Sequence, residues 1–482
     1  SNDAAVVFDQ AADALFAGTI TGSGGIVKKG DGRLLLAGPS SAFTGTTTVE
    51  GGALSVNGTL GGTLDVQSGG KLMGSGTVGT TTVAGTVAPG NSIGTLTVAG
   101  DITLGSDSTY EVEVEPGGAG SDLIRATGKA FLNGGKVAHV GQAGTYEPNA
   151  SYTILKADAG VSGTFGTVTS SFAFLDPKLS YDPTSVYLRL VRNDVAFASA
   201  GQTPNQRSVG GAVDLLGPGN PIWNAVVSLS ATQAESAFDG LSGEIHASAK
   251  TALMEDSRFL RDAVNERIRA AFAGVGAAAS PVLAYGETGT DGTATAAFNH
   301  ALAPADTASL AAWGSVFGSW GSTDGDGNAA GLPRSTGGFL TGIDGMVTEA
   351  VRLGILAGYS HDSFDVDARA SSGSSDNYHL GLYGGTQRGA LGLRGGIAYT
   401  WHKLSTGRSA VFPGFSERLE ADYDAGTFQA FGEAGYRIDT ATASFEPFAN
   451  LAHVSLRTGA FTEKGGAAAL ASPSQTTDTT FT

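Results

Sequence analysis

The feature that most limits the fold is an alternation of apolar with small or polar residues, repeated between about Leu310 and Thr482. The odd positions of residues 351–359 and 391–401 show it best: Val351, Leu353, Ile355, Ala357, Tyr359, Leu391, Leu393, Ile397, Tyr399 and Trp401. Successive side chains of a strand point to opposite faces. Each segment therefore predicts a strand with one apolar and one polar face.

A soluble sandwich would show the same alternation, but three features favour a transmembrane barrel. The segments run to roughly 10 residues or more, the length that a tilted strand needs to cross a bilayer. Their apolar faces end in aromatic residues such as Tyr359, Trp401 and Tyr436, as an interfacial girdle requires. Their polar faces carry Gly, Arg, Glu, Gln and Thr, which suit a wet interior better than a sandwich core.

Composition supports an all-β chain that does not bind nucleic acid. Glycine accounts for 74 of 482 residues, about twice the usual ~7%, and charged residues make up only 15%. The net charge of −17 would repel phosphate. The absence of cysteine excludes disulfides, cysteine-ligated zinc and thiol catalysis. The sequence starts at Ser1 without a signal peptide, so we expect a mature fragment.

The first 110 residues predict a solenoid of very short strands. Five segments of about four residues are separated by glycine-rich corners: Ala53–Val56, Thr63–Val66, Thr80–Val83, Thr95–Val98 and Asp101–Leu104. Such strands fit the coils of a parallel β-helix, in which each coil buries its Leu and Val inward and packs on its neighbours.

Within this region a resemblance becomes specific. Residues 24–54 read GGIVKKGDGRLLLAGPSSAFTGTTTVEGGAL and resemble the passenger-associated repeat of bacterial autotransporters, the type V secretion family. Residues 86–96 (TVAPGNSIGTL) resemble a recurring corner of the same family. The resemblance implies a passenger end at 1–109, a pertactin-like autochaperone cap at 110–193, a linker at 194–309 and an outer-membrane barrel at 310–482.

Residues 194–221 are rich in Gly and Pro and predict a linker. Residues 222–241 are expected to form one helical segment and residues 242–272 another, with Leu253, Leu260, Val264, Ile268 and Phe272 on one face. Its opposite face carries six charged residues: Arg258, Arg261, Asp262, Glu266, Arg267 and Arg269. A helix of this length would run about 45 Å, and the resemblance implies that it threads the barrel pore. The run 270–286 is too weakly apolar to be a spanning helix, and 273–309 is expected to be loop.

Seven barrel segments and the start of an eighth are predicted: 310–323, 335–347, 351–367, 376–389, 391–411, 417–439, 443–462 and 476–482. The phase of the first two is ambiguous, because Trp313, Phe317 and Trp320 do not share a face. The resemblance implies twelve strands, so we expect seven or eight of twelve and an incomplete barrel. The predicted fold is all-β: a right-handed parallel β-helix, an α-helical linker and an antiparallel transmembrane β-barrel.

Two glycine motifs resemble catalytic or cofactor-binding signatures. Gly74–Gly79 matches the dinucleotide pattern GxGxxG, and Gly90–Gly94 matches the nucleophile elbow GxSxG around Ser92. Both mechanisms need a helix after the motif, whereas strand-like sequence follows each one. We therefore predict solenoid corners and no cofactor.

Other candidate sites are also weak. Asp324–Asn328 begins like a calcium loop but has Ala329 and Ser335 where Gly and Glu are required, so a polar hairpin loop is expected. The seven histidines (139, 246, 300, 361, 379, 402 and 453) show no helix-face pair that predicts a metal site. Some autotransporters release the passenger by cyclisation at paired asparagines. Asn265 stands without such a partner, so no self-cleavage is expected there.

By the resemblance, the function is secretion of the chain's own passenger across the outer membrane and its display on the cell surface. The passenger is expected to be an adhesin or virulence factor with a host ligand, and the 482 residues are not expected to be an enzyme. Implied partners are outer-membrane lipid, the barrel-assembly machinery and periplasmic chaperones. Two alternatives stay open: a soluble secreted β-helix protein that binds or cleaves carbohydrate, and an enzyme passenger whose catalytic domain lies upstream.

Overall fold

The computed structural model describes residues 1–275, 282–285 and 310–482. They form two compact units, one made of residues 1–238 and one made of residues 239–482 apart from the tip 412–415. None of the helices within the described ranges is both long and apolar enough to cross a membrane. Most of the expected loop 273–309 lies outside the described residues, as do residues 276–281 and 286 of the weakly apolar run 270–286 and His300.

The first unit is built on one sheet of twenty short strands. In chain order these are β1 (Ala5–Asp9), β2 (Ala14–Phe16), β3 (Gly25–Lys29), β4 (Arg33–Leu36), β5 (Pro39–Ser40), β6 (Thr46–Val49), β7 (Gly52–Val56), β8 (Thr59–Val66), β9 (Gly70–Gly74), β10 (Thr77–Val83), β11 (Thr86–Pro89), β12 (Thr95–Val98), β13 (Ile102–Leu104), β14 (Thr109–Val112), β15 (Leu123–Ala126), β16 (Ala130–His139), β17 (Ser151–Ala157), β18 (Val161–Ser170), β19 (Leu175–Tyr181) and β20 (Ser185–Arg192). All five predicted short strands are present, which confirms the repeat of strand and corner.

These strands pair in parallel from one coil to the next. One ladder runs from residue 26 to 47, to 64 and to 81, so a coil takes 17 to 21 residues. Two residues further along the same strands, the ladder stacks Val49, Val66 and Val83, all fully buried. Each such side chain contributes roughly 1.5–3 kcal/mol on burial. The expected β-helix-like parallel sheet is thus confirmed, while its right-handedness stays a prediction.

Close stacking explains the glycine at the corners. Gly62 has φ 73°, and a Cβ atom on it would lie 2.0 Å from the carbonyl oxygen of Gly45 in the preceding coil. Only glycine fits where φ is positive and the next backbone is this near.

The parallel pairing ends in a short antiparallel segment. β16 and β18 are ten residues each and pair in parallel. β17 then pairs antiparallel with β20, and β20 pairs antiparallel with β19. Because an antiparallel hairpin continues the hydrogen bonding without another coil, it closes this end of the stack. This is the geometry expected of a cap.

The chain is mostly β and not all-β, because five α-helices follow this closing segment within the described residues: α1 (Pro204–Leu216), α2 (Pro221–Val226), α3 (Ala231–Leu241), α4 (Glu244–Asp256) and α5 (Arg258–Ala271). α1 occupies 13 residues of the predicted Gly- and Pro-rich linker 194–221. Thr203 and Gln206 form a capping box, Pro204 occupies the first turn, and Gly217 ends the helix at φ 72°. Here Pro and Gly act as helix start and stop signals.

The predicted single helices are each interrupted. Residues 222–241 are split between α2 and α3, and residues 242–272 between α4 and α5, with the latter break at Ser257. The Ser257 hydroxyl donates to the Met254 carbonyl at 2.6 Å and accepts from Arg261 at 2.8 Å. Such side-chain bonds to the backbone compete with helix continuation. Leu253 consequently packs in a different apolar cluster from Leu260.

In the part of the second unit that the structure describes, there are a nine-stranded antiparallel sheet and two short hairpins. Its strands are β21 (Val282–Tyr285), β22 (Leu310–Thr323), β23 (Leu332–Met346), β24 (Val351–Val366), β25 (Ser371–Arg388), β26 (Leu391–Phe412), β27 (Phe415–Tyr436), β28 (Ile438–Asp439), β29 (Ser444–Phe445), β30 (Phe448–Thr458), β31 (Phe461–Thr462), β32 (Ala471–Ser472) and β33 (Gln475–Phe481). Sequence neighbours pair throughout the main sheet, from β21 to β27, then β30 and β33. The predicted long alternating segments are therefore strands of one antiparallel sheet.

Candidate functional site: a helix enclosed by the antiparallel sheet

One face of the sheet in the second unit, here called the outer face, is apolar and carries an aromatic row. Phe339 pairs with Tyr359, Tyr359 with Tyr378, and Tyr378 with Trp401, so four adjacent strands place an aromatic side chain at one level. Ile343, Ile355, Leu382 and Ile397 form a parallel row four residues further along their strands. Most of these side chains are about half-exposed even though they are apolar. This arrangement is the band and girdle expected of a membrane-facing sheet.

The height of this band matches a bilayer. On β26 the outer face runs from Trp401 to Leu391, ten residues apart. At ~3.3 Å per residue this is about 33 Å of strand, or about 23 Å of height at a tilt of ~45°. Outer-membrane barrels carry an apolar band about 25 Å tall.

The opposite face, here called the inner face, surrounds α4 and α5. The ring of Phe259 stacks on Phe317 of β22 at 5.1 Å, and the guanidinium of Arg261 lies 5.1 Å from the ring of Phe481 in β33. A helix is only ~10–12 Å across, yet it contacts strands near both ends of the sheet order. The sheet must therefore curve around the helix. The ambiguous phase of β22 is settled by burial: Trp313 is buried, and Trp320 is 82% exposed.

A buried ion cluster joins α5 to the inner face. Arg267 donates from Nε and Nη2 to the two carboxylate oxygens of Asp344 in β23, both at 2.7 Å. Arg352 of β24 binds the same carboxylate, and the Tyr383 hydroxyl of β25 donates to it at 2.7 Å. The Arg267 and Asp344 side chains are at most 1% exposed. Arg267, one of the six charged residues predicted on the face opposite Leu253 and Leu260, is therefore buried against a charged residue of the sheet.

A second cluster lies around Glu433 of β27. Its carboxylate accepts from Arg269 of α5 at 2.7 Å and from Arg394 of β26 at 2.9 Å. Asn265 contacts the same carboxylate at 3.5 Å. These bonds hold α5 against the strands opposite Asp344, since β27 is four places from β23 in the sheet.

The start of α4 is held by the connection between β30 and β33. Glu463 in this connection accepts two bonds from Arg408, at 2.8 and 2.7 Å, and lies 2.9 Å from Nε2 of His246. Burial raises the pKa of Glu463, but the bonds from Arg408 and His246 outweigh burial and lower the pKa to about 2. Glu463 is therefore ionised at any physiological pH.

The sequence did not predict these clusters, because their partners are far apart in the chain. Arg267 and Asp344 are 77 residues apart. The available signal was the ionisable residues on otherwise small, polar strand faces: Asp344, Arg352, Arg394 and Glu433. Buried charges need partners, so these residues indicated an enclosed counter-charged element. They did not indicate which helical residue would meet them.

The structure places both glycine motifs in the first unit. Gly74–Gly79 spans the end of β9, a two-residue corner and the start of β10, and Ser92 lies in the corner between β11 and β12. Neither motif is followed by the helix that its mechanism needs.

The calcium-loop candidate and two of the histidines have defined places in the structure. Asp326 accepts backbone bonds from Asn328 and Ala329 at 2.9 and 2.7 Å, so it shapes a hairpin loop as expected. His379 and His402 line one small cavity beside Ser257. Within the described ranges, no three or more His, Asp or Glu side chains are grouped so as to hold a metal ion.

Comparison with known proteins decides the family. Residues 312–482 match the autotransporter beta-domain, and residues 26–56 match the passenger-associated-transport-repeat. The chain carries two family signatures of an autotransporter. The recognition of this family from residues 24–54 and from the alternating strands is thereby confirmed, as is the outer-membrane location of the barrel with an extracellular passenger.

This autotransporter is similar to two curated proteins of Serratia marcescens, each named extracellular serine protease. They are 35% and 32% identical to it over 96% of its length. The chain covers 46% of each relative and so spans about half the length of the curated relatives that it matches.

Among solved structures, the chain is similar to the translocator domain of the autotransporter NalP from Neisseria meningitidis. The TM-score is 0.35 at 17% identity, over 49% of this chain and 70% of that one. The relatives' names give no support to an adhesin or virulence role or to a host ligand, and these stay predictions.

Proposed function

We propose that this autotransporter moves its own passenger through its barrel and displays it on the cell surface, with α4 and α5 left inside the barrel after export. The observation that carries the proposal is the enclosure of α5, whose side chains contact strands near both ends of the sheet order. A helix threaded in this way is what a chain exported through the sheet would leave behind. The proposed parts are the passenger end 1–109, the cap 110–193, the linker 194–309 and the barrel 310–482.

Folding of the first unit outside the cell would oppose sliding back. Each coil completes a ladder such as Val49, Val66 and Val83, and every fully buried Val or Leu adds roughly 1.5–3 kcal/mol. The coil 46–62 buries four such residues, Val49, Leu54, Val56 and Leu60. Their combined contribution is many times the thermal energy. The cap, with its antiparallel closure at β20, would provide the first surface on which coils stack. Lipid is the proposed partner of the outer face, and assembly machinery and periplasmic chaperones are proposed from the family.

External protease on intact cells that produce the complete gene product tests this proposal. Blots for residues 1–190 and for residues 310–482 are made separately, with a periplasmic protein as the control for leakage. We expect the first epitope to be lost and the second to survive in the outer-membrane fraction. Survival of both until lysis would reject surface display. Release of both into the medium would favour the soluble β-helix alternative.

We further propose that the complete gene product carries an extracellular serine protease domain outside these 482 residues. The names of both Serratia relatives favour this second function, as does the fact that the matched region is 46% of each. A fluorophosphonate probe that labels active serine hydrolases should label the surface-exposed product. Absence of labelling in protein that is surface-exposed and folded would reject the protease but leave translocation intact.

A further inference from the structure

One threonine hydroxyl lies between two buried carboxylates where α4 meets the inner face. The Thr336 Oγ1 of β23 is 2.8 Å from Oδ2 of Asp256, the last residue of α4. The same oxygen is 2.7 Å from Oδ1 of Asp362 in β24. Thr336 is 5% exposed and Asp362 is 2% exposed. We call these three residues the Asp–Thr–Asp bridge.

If both carboxyl groups are ionised, the bridge has too few protons to form a hydrogen bond at both contacts. A threonine hydroxyl has one proton and can donate to one carboxylate only. The other contact would then bring two acceptor oxygens together at 2.7 or 2.8 Å without a hydrogen. One added proton resolves this, because a neutral carboxyl group can donate to Oγ1 while Oγ1 donates to the other. Two carboxylates that share a site commonly hold one proton in this way.

The surroundings indicate which carboxyl group takes the proton. Asp256 has a basic partner, since Arg334 Nη1 lies 3.4 Å from its Oδ1, and Arg258 is also near enough to favour its charge. Asp362 makes no salt bridge within the described part of the chain, and its Oδ2 accepts from the neutral amide of Asn377 at 2.7 Å. The proton therefore belongs on Asp362.

The ionisable groups packed around the bridge leave Asp362 without an ion pair, although the Glu255 charge near Asp256 and the His361 ring near Asp362 oppose the assignment. Those on the helix are Glu255, Arg258 and Arg261, and those on the strands are Arg334, His361, His379 and His402. His402 reaches Asp362 only through Asn377, to whose Oδ1 its Nδ1 donates at 2.6 Å. His379 contacts Ser360 at 3.1 Å and not the carboxylates. None of these groups places a positive charge within ion-pair distance of Asp362.

We propose that the Asp–Thr–Asp bridge is a one-proton switch that fixes the end of α4 to β23 and β24. Docking of the helix then takes up a proton, so the docked state is favoured at low pH and is weakened as pH rises and the proton is lost. With both carboxyl groups ionised, two buried negative charges face each other across Thr336. The bridge lies next to the helix break at Ser257, so α4 can move there while α5 keeps its ion clusters.

Distances between spin labels on the intact protein in lipid vesicles test the switch. The chain has no cysteine, so Thr251→Cys on α4 and Ser372→Cys on β25, both exposed positions, give one defined pair. We expect one narrow distance distribution at pH 5. A second, broader population should grow several-fold between pH 5 and pH 9. Asp362→Asn, whose amide can donate to Thr336 in place of the proton, should hold the narrow distribution at every pH.

The matched control is Asp365→Asn, on the outer face of the same strand, which should keep the pH response of the parent. If Asp362→Asn does not fold, Asp256→Asn replaces it, because removal of either charge should abolish the response. Distances that do not change from pH 5 to pH 9, or that change equally in Asp362→Asn, would overturn the proposal. So would a response to EDTA or to sodium concentration at constant pH, since a bound cation would then bridge the carboxylates.

Discussion

At the scale of single residues, Asp122 in the first unit is a buried carboxylate at a junction of three segments. Its two oxygens accept from the backbone N–H groups of Gly94 and Glu113, at 2.9 and 2.8 Å. Burial raises the pKa of Asp122 from 3.8 to about 7, although both backbone bonds oppose the shift. The folded state therefore takes up a proton between these values. The stability that Asp122 provides is present at low pH and is lost as pH rises towards 7.

Replacement of Asp122 by Asn should remove this dependence. In the parent protein the Asp122 contribution to the free energy of unfolding falls with a slope of up to ~1.36 kcal/mol per pH unit between the two pKa values. Urea unfolding of the whole protein in detergent, followed by Trp223 fluorescence at several pH values, measures it. An Asp122→Asn protein with the parental slope would show that Asp122 does not titrate in the folded state.

His139 should act in the opposite sense. It is buried against the rings of Tyr146 and Phe172, and burial lowers its pKa from 6.5 to about 4. The unfolded state binds the proton more readily, so this stability is present above pH 6.5 and is lost as pH falls towards 4. His139→Phe, measured as for Asp122, should make the protein relatively more stable at the acid end. Equal loss of stability at both ends would show a packing effect alone.

At the scale of elements, the sequence predicted five of the twenty short strands of the first sheet and most of the long strands described for the second. The alternation of a strand is visible in adjacent residues. Leu391–Trp401, which forms part of β26, could therefore be recognised as a strand without knowledge of the fold. The break at Ser257 was missed because it depends on a side-chain bond to Met254, which helical periodicity does not reveal. The buried pair of Arg267 and Asp344 was missed because a local pattern contains no information about a partner 77 residues away.

The Asp344 cluster gives a graded prediction for the attachment of α5. Asp344→Leu leaves Arg267 and Arg352 buried without their shared carboxylate and should cost roughly 3–5 kcal/mol. Arg267→Met keeps the Arg352 pair with Asp344 and should cost clearly less. Unfolding in detergent, followed by the mobility shift on unheated gels, compares the two variants. Arg437→Ala, which breaks an exposed pair with Asp439, is the control and should change stability little. Equal costs for the first two would show that the carboxylate does not unite the cluster.

At the scale of the whole molecule, the two units should respond differently to their solvent. The first unit buries its valine and leucine ladders inside the stack, whereas the second exposes its apolar residues on the outer face. Water stabilises the first arrangement through the hydrophobic effect. The second unit needs lipid or detergent around its outer face. Its polar contacts lie between the inner face and the helices α4 and α5.

Urea unfolding in detergent micelles should therefore show two transitions. Of the four tryptophans, only Trp223 lies in the first unit, where it packs on Phe197 at 5.7 Å. Its fluorescence should change at lower urea than the signal from Trp313, which is buried on the inner face. Trp223→Phe should remove the first fluorescence step while the matching far-ultraviolet dichroism change persists. Coincidence of both signals in one transition would contradict this prediction and would mean that the units unfold as one cooperative body.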